Sequence, residues 1–224
     1  TARVQGGATW GDVDRETQVF GLVAPGGVVV IPVAVYTGSV AEGERLVQPL
    51  RNLGTPLLDL SGPMPWTAVQ SMFDPFLPKQ EFLYYWKSLY LDGLGDEAVD
   101  HLVKCGASRP SPNTMVILLH FGGAMSRVGA DGTAFGRRDM PYLLELDSTW
   151  ADPKDTDRNI AWTRQMWSET QRYSTGGLYL NFPGLGEEGE RLVRSAVGNV
   201  NYERLVALKN KYDPTNVFRT SLNI

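Results

Sequence analysis

The chain has 224 residues with 25 acidic and 21 basic side chains, a net charge of -4, and lacks the Lys and Arg surplus that a broad nucleic-acid surface requires. Its 42% hydrophobic content supplies one substantial core or two modest ones and excludes wholesale disorder. The longest apolar run, Val28 to Tyr36, is nine residues with Pro32 inside, short of the roughly twenty that span a bilayer; the single Cys105 excludes an intramolecular disulfide and any multi-cysteine zinc site.

In chain order, residues 2 to 8 predict a short strand, and Thr9 can cap a helix running to about Phe20 with Gly21 as a left-handed stop. From Val28 a β-branched run predicts a buried strand. Ser39-Val40-Ala41-Glu42 has the spacing of a capping box, and Leu46, Val47, Leu50 and Leu53 follow at helical intervals up to Gly54. Pro63-Met64-Pro65 is a connector before a short helix from Thr67 to Met72. The aromatic run Phe82 to Tyr90 predicts a strand, Ala98, Val99, Leu102 and Val103 the next helix, and Thr114 to Phe121 another strand. Gly122 to Gly136 suits turns or a short hairpin. Tyr142 to Leu146 predicts a strand. Asp152-Pro153 then opens a helix to about Tyr173, and a last helix near Asn201 to Lys211 stops before Asp213-Pro214.

Several segments carry a resemblance as an ordered set. They are Gly176-Gly177-Leu178-Tyr179-Leu180-Asn181-Phe182, Asn201-Tyr202-Glu203-Arg204-Leu205 and Lys209-Asn210-Lys211-Tyr212-Asp213-Pro214-Thr215-Asn216-Val217-Phe218. Upstream stand Gly122-Gly123-Ala124 with Arg127, Thr133-Ala134-Phe135, Arg138-Asp139 and Ala161-Trp162-Thr163-Arg164. Together they resemble berberine-bridge-enzyme-like FAD-linked oxidases from about Val28 to Ile224. Residues 4 to 27 resemble a piece of the same family's FAD domain, which then passes straight into Val28 without the Gly-rich flavin-binding stretch.

The resemblance implies an α+β fold, an antiparallel sheet flanked by helices on one face, with a remnant strand-helix unit of an FAD-binding domain at the N-terminus. It divides the chain into that remnant, residues 1–27, and a substrate-binding domain, residues 28–224. The expected activity is oxidation of an alcohol or amine carbon by hydride transfer to flavin, silent in this chain because most of the flavin shell is absent. The alternative is a non-catalytic ligand-binding or dimerising module, a homodimer forming through the sheet face that the FAD domain normally covers. A small-molecule substrate is expected, with no nucleic acid, no membrane and no metal.

If Gly177 to Phe182 is a strand, Tyr179 and Asn181 point one way while Leu178, Leu180 and Phe182 pack the other. By resemblance Tyr179 accepts the substrate's hydroxyl proton as hydride leaves, and Asn181 contacts the flavin. A phenol in that role needs a nearby positive charge or a proton transfer timed with hydride loss. The bland alternative is a half-exposed strand tyrosine. His120 shares a strand face with Val116 and Leu118 and could orient substrate or assist proton transfer, or be held at the strand end by a backbone carbonyl. Arg127, with Arg137 and Arg138, could hold an anionic substrate group or decorate a solvated loop. Pro25, Gly26 and Gly27 could let a backbone approach FAD closely, and Asn223 is a further flavin-side candidate. Covalent flavin attachment is not expected: Ala8 follows Gly6-Gly7, and Cys105 ends a helix. His101, beside Asp100 and Lys104, is expected on a solvated helix face, and Lys87 is expected opposite Trp86.

Overall fold

The computed structural model describes residues 31–76, 78–177, 179–182 and 189–219. Among these, residues 31–78 with 106–108 form one compact unit, and residues 79–105 with 109–219 form another. The strand and helix expected over residues 2–20 and the Pro25-Gly26-Gly27 turn lie outside the described residues.

In the first unit, Ser39 caps helix α1 (Val40–Arg51), its Oγ accepting the Glu42 N–H at 3.4 Å. The capping box is half made, because the Glu42 carboxylate instead accepts from the Arg45 guanidinium one turn on. The helical spacing of Leu46 and Leu50 is real, yet α1 contains no buried residue. A second, shorter helix, α2, covers Trp66–Ser71. The strand expected from Val28 is corrected over its described part. Residues 31–36 form no strand, and Ile31, Val33 and Val35 are exposed. A β-branched run becomes a strand only where a neighbour takes its N–H and C=O groups, and no described residue does so.

The second unit is built on an antiparallel sheet of β1 (Leu83–Leu91), β2 (Met115–His120) and β3 (Tyr142–Trp150), in the order β1-β3-β2. Helices α3 (Asp96–Ala107), α4 (Thr156–Thr170), α5 (Gly189–Val197) and α6 (Asn199–Tyr212) complete it. β3 runs past the expected end at Leu146, since Ser148, Thr149 and Trp150 still pair with Tyr85, Tyr84 and Leu83. The segment from Gly122 to Gly136 contains turns and no strand. Asp152 accepts the Lys154 N–H at 3.0 Å and Pro153 opens one 3-10 turn before α4, so the capping prediction holds.

Alternation along the strands sorts the two faces. Leu89 and Leu91 of β1 and Leu144 and Leu146 of β3 are fully buried and meet Trp162 and Met166 of α4 and Cys105 of α3. Burying each such leucine is worth about 1.5–3 kcal/mol. Lys87 lies on this face as well, its Nζ 4.6 Å from the centre of the Trp167 ring. His101 corrects the expectation of a solvated face: it is buried, with Nε2 2.9 Å from Thr170 Oγ1, because α4 packs over the side of α3 that reads as polar.

The opposite face carries Trp86, Ser88 and Tyr90 of β1 beside Asp147, Glu145 and Leu143 of β3. It is covered by the chain itself, through Phe121 against Tyr90 and Phe182 against Trp86. A second core joins α5 and α6 through Val193, Val197 and Tyr202, and Leu180 packs against it. Gly198, at φ 82°, makes the break between these helices in a conformation that glycine adopts freely. Gly136 meets the end of α5 so closely that a β-carbon there would stand 2.5 Å from the Ala196 carbonyl oxygen.

Candidate functional site

Tyr179 and Asn181 are brought together, though by a different local structure from the one expected. The described residues of Gly177–Phe182 form a turn, closed by the Phe182 N–H on the Tyr179 carbonyl at 3.0 Å, so the expectation of a strand is corrected. The paired glycines explain this. Gly176 and Gly177 both hold positive φ, at 89° and 82°, which breaks extended geometry before the segment begins. Within the turn the Asn181 carboxamide donates to the Tyr179 hydroxyl at 2.8 Å. Leu180 packs away onto the α5 and α6 core as expected, whereas Phe182 joins Tyr179, their ring centres 5.6 Å apart.

The turn is fixed to the sheet by Ser88. The buried Ser88 Oγ accepts the Tyr179 N–H at 3.2 Å and lies 3.4 Å from the Tyr179 carbonyl oxygen. Rings then follow one another along this face: Phe135 against Tyr179, Tyr179 against Phe182, Phe182 against Trp86 and Trp86 against Tyr84, with centres 5.4–5.9 Å apart.

Two carboxylates that the sequence reading passed over lie in the same place. Glu145 and Asp147 occupy alternate positions of β3 and therefore share a face, opposite Ser88 and Trp86 respectively. Each is only 5% exposed. Burial pushes Glu145 up to about 7, and burial together with the neighbouring Glu145 charge pushes Asp147 up to about 7. Carboxylates that titrate near neutrality can take or give a proton at working pH, and a buried like-charged pair in such a position marks a candidate functional site. The alternation Leu144-Glu145-Leu146-Asp147 was the available signal, lost by ending the strand at Leu146.

The arginines brace loops. Arg137 donates to the Gly176 carbonyl at 3.1 Å and to Thr175 Oγ1 at 3.2 Å, and lies over the Tyr90 ring. Arg138 donates to the Met125 carbonyl at 3.2 Å and to Thr133 Oγ1 at 2.7 Å. Tyr90 is pushed up to about 12, first by burial and then by Tyr179 beside it. Arg127 is exposed in the loop after Gly123 and is not drawn into this group.

His120 keeps the expected company of Val116 and Leu118, but that is the helix-covered side. It pairs with Tyr142 and their ring centres lie 5.4 Å apart, so the sheet separates it from Tyr179. Pro25, Gly26, Gly27 and Asn223 lie outside the described residues. Among the described residues, no three His, Cys, Asp or Glu side chains are grouped to hold a metal, and no helix is long and apolar enough to cross a membrane.

Comparison with known proteins adds the family. The family model "Berberine and berberine like" matches residues 179–224, beginning at the tyrosine of the turn. An FAD-linked oxidoreductase of Dictyostelium discoideum is 24% identical over 215 residues, covering 95% of this chain and 46% of that protein. YvdP of Bacillus subtilis (strain 168), an uncharacterized FAD-linked oxidoreductase, is 29% identical over 200 residues, covering 83% and 41%. A variant of Physcomitrella patens BBE-like 1 superposes with a TM-score of 0.67 at 20% identity, over 84% of this chain and 42% of that one, a likeness of fold. The chain spans less than half the length of these relatives. With its α+β sheet and ordered C-terminal motifs, the chain is similar to the berberine-bridge-enzyme-like FAD-linked oxidoreductases, and its last 46 residues, 179–224, match their family model.

Proposed function

We propose that this chain supplies the substrate side of an FAD-dependent oxidoreductase that oxidises an alcohol or amine carbon, with residues 28–224 as the substrate-binding domain and residues 1–27 as a remnant of the FAD-binding domain. The observation that carries this reading is the Tyr179 hydroxyl, held by Asn181 in a turn pinned to Ser88, on the sheet face that bears Glu145 and Asp147.

A phenol, a carboxamide and a row of rings fit the flat, heteroatom-edged ring end of a flavin, and Tyr179 and Asn181 are the described residues that would meet it. FAD, when bound, supplies the hydride acceptor. Tyr179 takes the substrate's hydroxyl proton as hydride leaves the adjoining carbon. The carboxylate pair beside it accepts protons near neutral pH. The aromatic row excludes water from the reacting carbon, and Arg137 braces the glycines that open the turn through the Gly176 carbonyl. Tight FAD retention and turnover by this chain alone are not expected, because the Gly-rich phosphate loop does not follow Gly27 in the sequence.

Titration of FAD with the purified chain tests the assignment. Flavin fluorescence is expected to quench weakly with the wild-type chain, to recover on desalting, and to quench less with the Tyr179→Ala, Asn181→Ala double variant. Equal quenching by wild type and double variant removes the flavin from this site. A yellow preparation that bleaches on adding substrate overturns the expectation of inactivity.

A further inference from the structure

The face beside the turn holds more polar demand than the protein answers. Asp147 Oδ1, Thr149 Oγ1 and Trp86 Nε1 are buried without a hydrogen-bond partner. Asp147 is 5% and Thr149 1% exposed. All three groups share a face, because Asp147 and Thr149 alternate along β3 and Trp86 pairs with Asp147 across the strands. An unpaired buried polar group costs about 1–3 kcal/mol, and buried carboxylates cost more, so three such groups in one place together with Glu145 are a heavy burden for a structural surface.

The missing partner has a definite chemistry. Two carboxylates ask for a positively charged group with several N–H donors. Thr149 Oγ1 offers a further acceptor. Trp86 stands opposite Asp147 in a run of rings from Tyr84 to Tyr179, and an indole attracts a cation over its face while its neighbours take an aromatic body. Among the described residues, the strand neighbours facing the pair are Ser88 and Trp86 from β1 and Ile117 and Met115 from β2. Tyr179 lies beyond Ser88. Arg137, near Tyr90 at the end of this face, already has Asp139 at 3.3 Å.

We infer that Glu145, Asp147, Thr149 and Trp86 form a binding site for a protonated amine carried on an aromatic body. This deepens the oxidase reading and rests on it for the site's role, choosing the amine over the alcohol. The ammonium lies between the two carboxylates, and the ring lies along Trp86 and Phe182.

The test needs no flavin, so its failure and that of the oxidase reading are distinguishable: FAD quenching with no amine binding removes the amine alone. Benzylamine and its neutral isostere benzyl alcohol are titrated calorimetrically into the intact chain at pH 8 and pH 5. Benzylamine is expected to bind about ten-fold tighter than benzyl alcohol at pH 8, and to lose about ten-fold at pH 5 as the carboxylates take protons. Asp147→Asn and Glu145→Gln each weaken benzylamine several-fold and leave benzyl alcohol unchanged. Both replacements remove a buried charge, and circular dichroism checks that they fold. Equal affinity for the two compounds, no binding of either, or benzylamine binding that survives the Glu145→Gln, Asp147→Asn double variant overturns the inference.

Discussion

The hydroxyl of Ser88 holds the backbone N–H of Tyr179, 91 positions later in the chain, at 3.2 Å, and this bond ties the C-terminal turn to the first strand. Ser88→Ala removes both the acceptor and the side-chain donor while keeping the strand. The expected result is loss of hydrogen-exchange protection at the Tyr179 amide and a global cost of about 1 kcal/mol. Unchanged protection at that amide would mean that the turn is held by its ring contacts instead.

The carboxylate pair sets a pH dependence. Unfolded, Glu145 and Asp147 lose their protons near pH 4, as free carboxylates do; folded, each keeps its proton up to about 7. The folded chain therefore holds more protons across that interval, and their contribution makes stability fall as pH rises from about 4 to about 7. Asp147→Asn is expected to gain on the order of 2 kcal/mol at pH 8 and to flatten this decline. Urea denaturation at pH 5 and pH 8 measures both. A variant less stable than wild type at pH 8 would show that Asp147 is paired after all.

Part of the site was legible from residue order alone. The paired glycines and the Tyr-x-Asn spacing located the segment, and the two side chains do meet. What failed was the inference of strand geometry, because the positive φ of Gly176 and Gly177 is a backbone property that the β-prone letters after them conceal. Glu145 and Asp147 were missed because apolar strand interiors are found by their leucines. His101 was misplaced because Asp100 and Lys104 flank it in sequence, whereas its burial depends on Thr170, 69 positions away.

Histidine 101 titrates in the other sense. Burial, then the charge of Arg172, lowers its pKa, so the folded chain keeps the ring neutral where the unfolded chain takes a proton, below about pH 6.5. Its contribution to stability is therefore lost as pH falls through that value. Proton NMR should find the His101 resonance titrating below the free imidazole range. A midpoint at or above about 6.5 would remove the effect.

Leucines in the two units should respond differently. Leu144→Ala opens a cavity between the sheet and α4 and is expected to cost about 2–5 kcal/mol. Leu53, 74% exposed just beyond α1, should tolerate Ala within about 0.5 kcal/mol. A large loss from Leu53→Ala in thermal unfolding would reveal a covered stripe.

The alternation of Leu144, Glu145, Leu146 and Asp147 also constrains assembly of the sheet. A slip of β3 by one residue would drive both carboxylates into the layer of Trp162 and Met166 and turn two leucines outward. The charges on this surface thus also penalise misregistration and favour the correct pairing of the sheet.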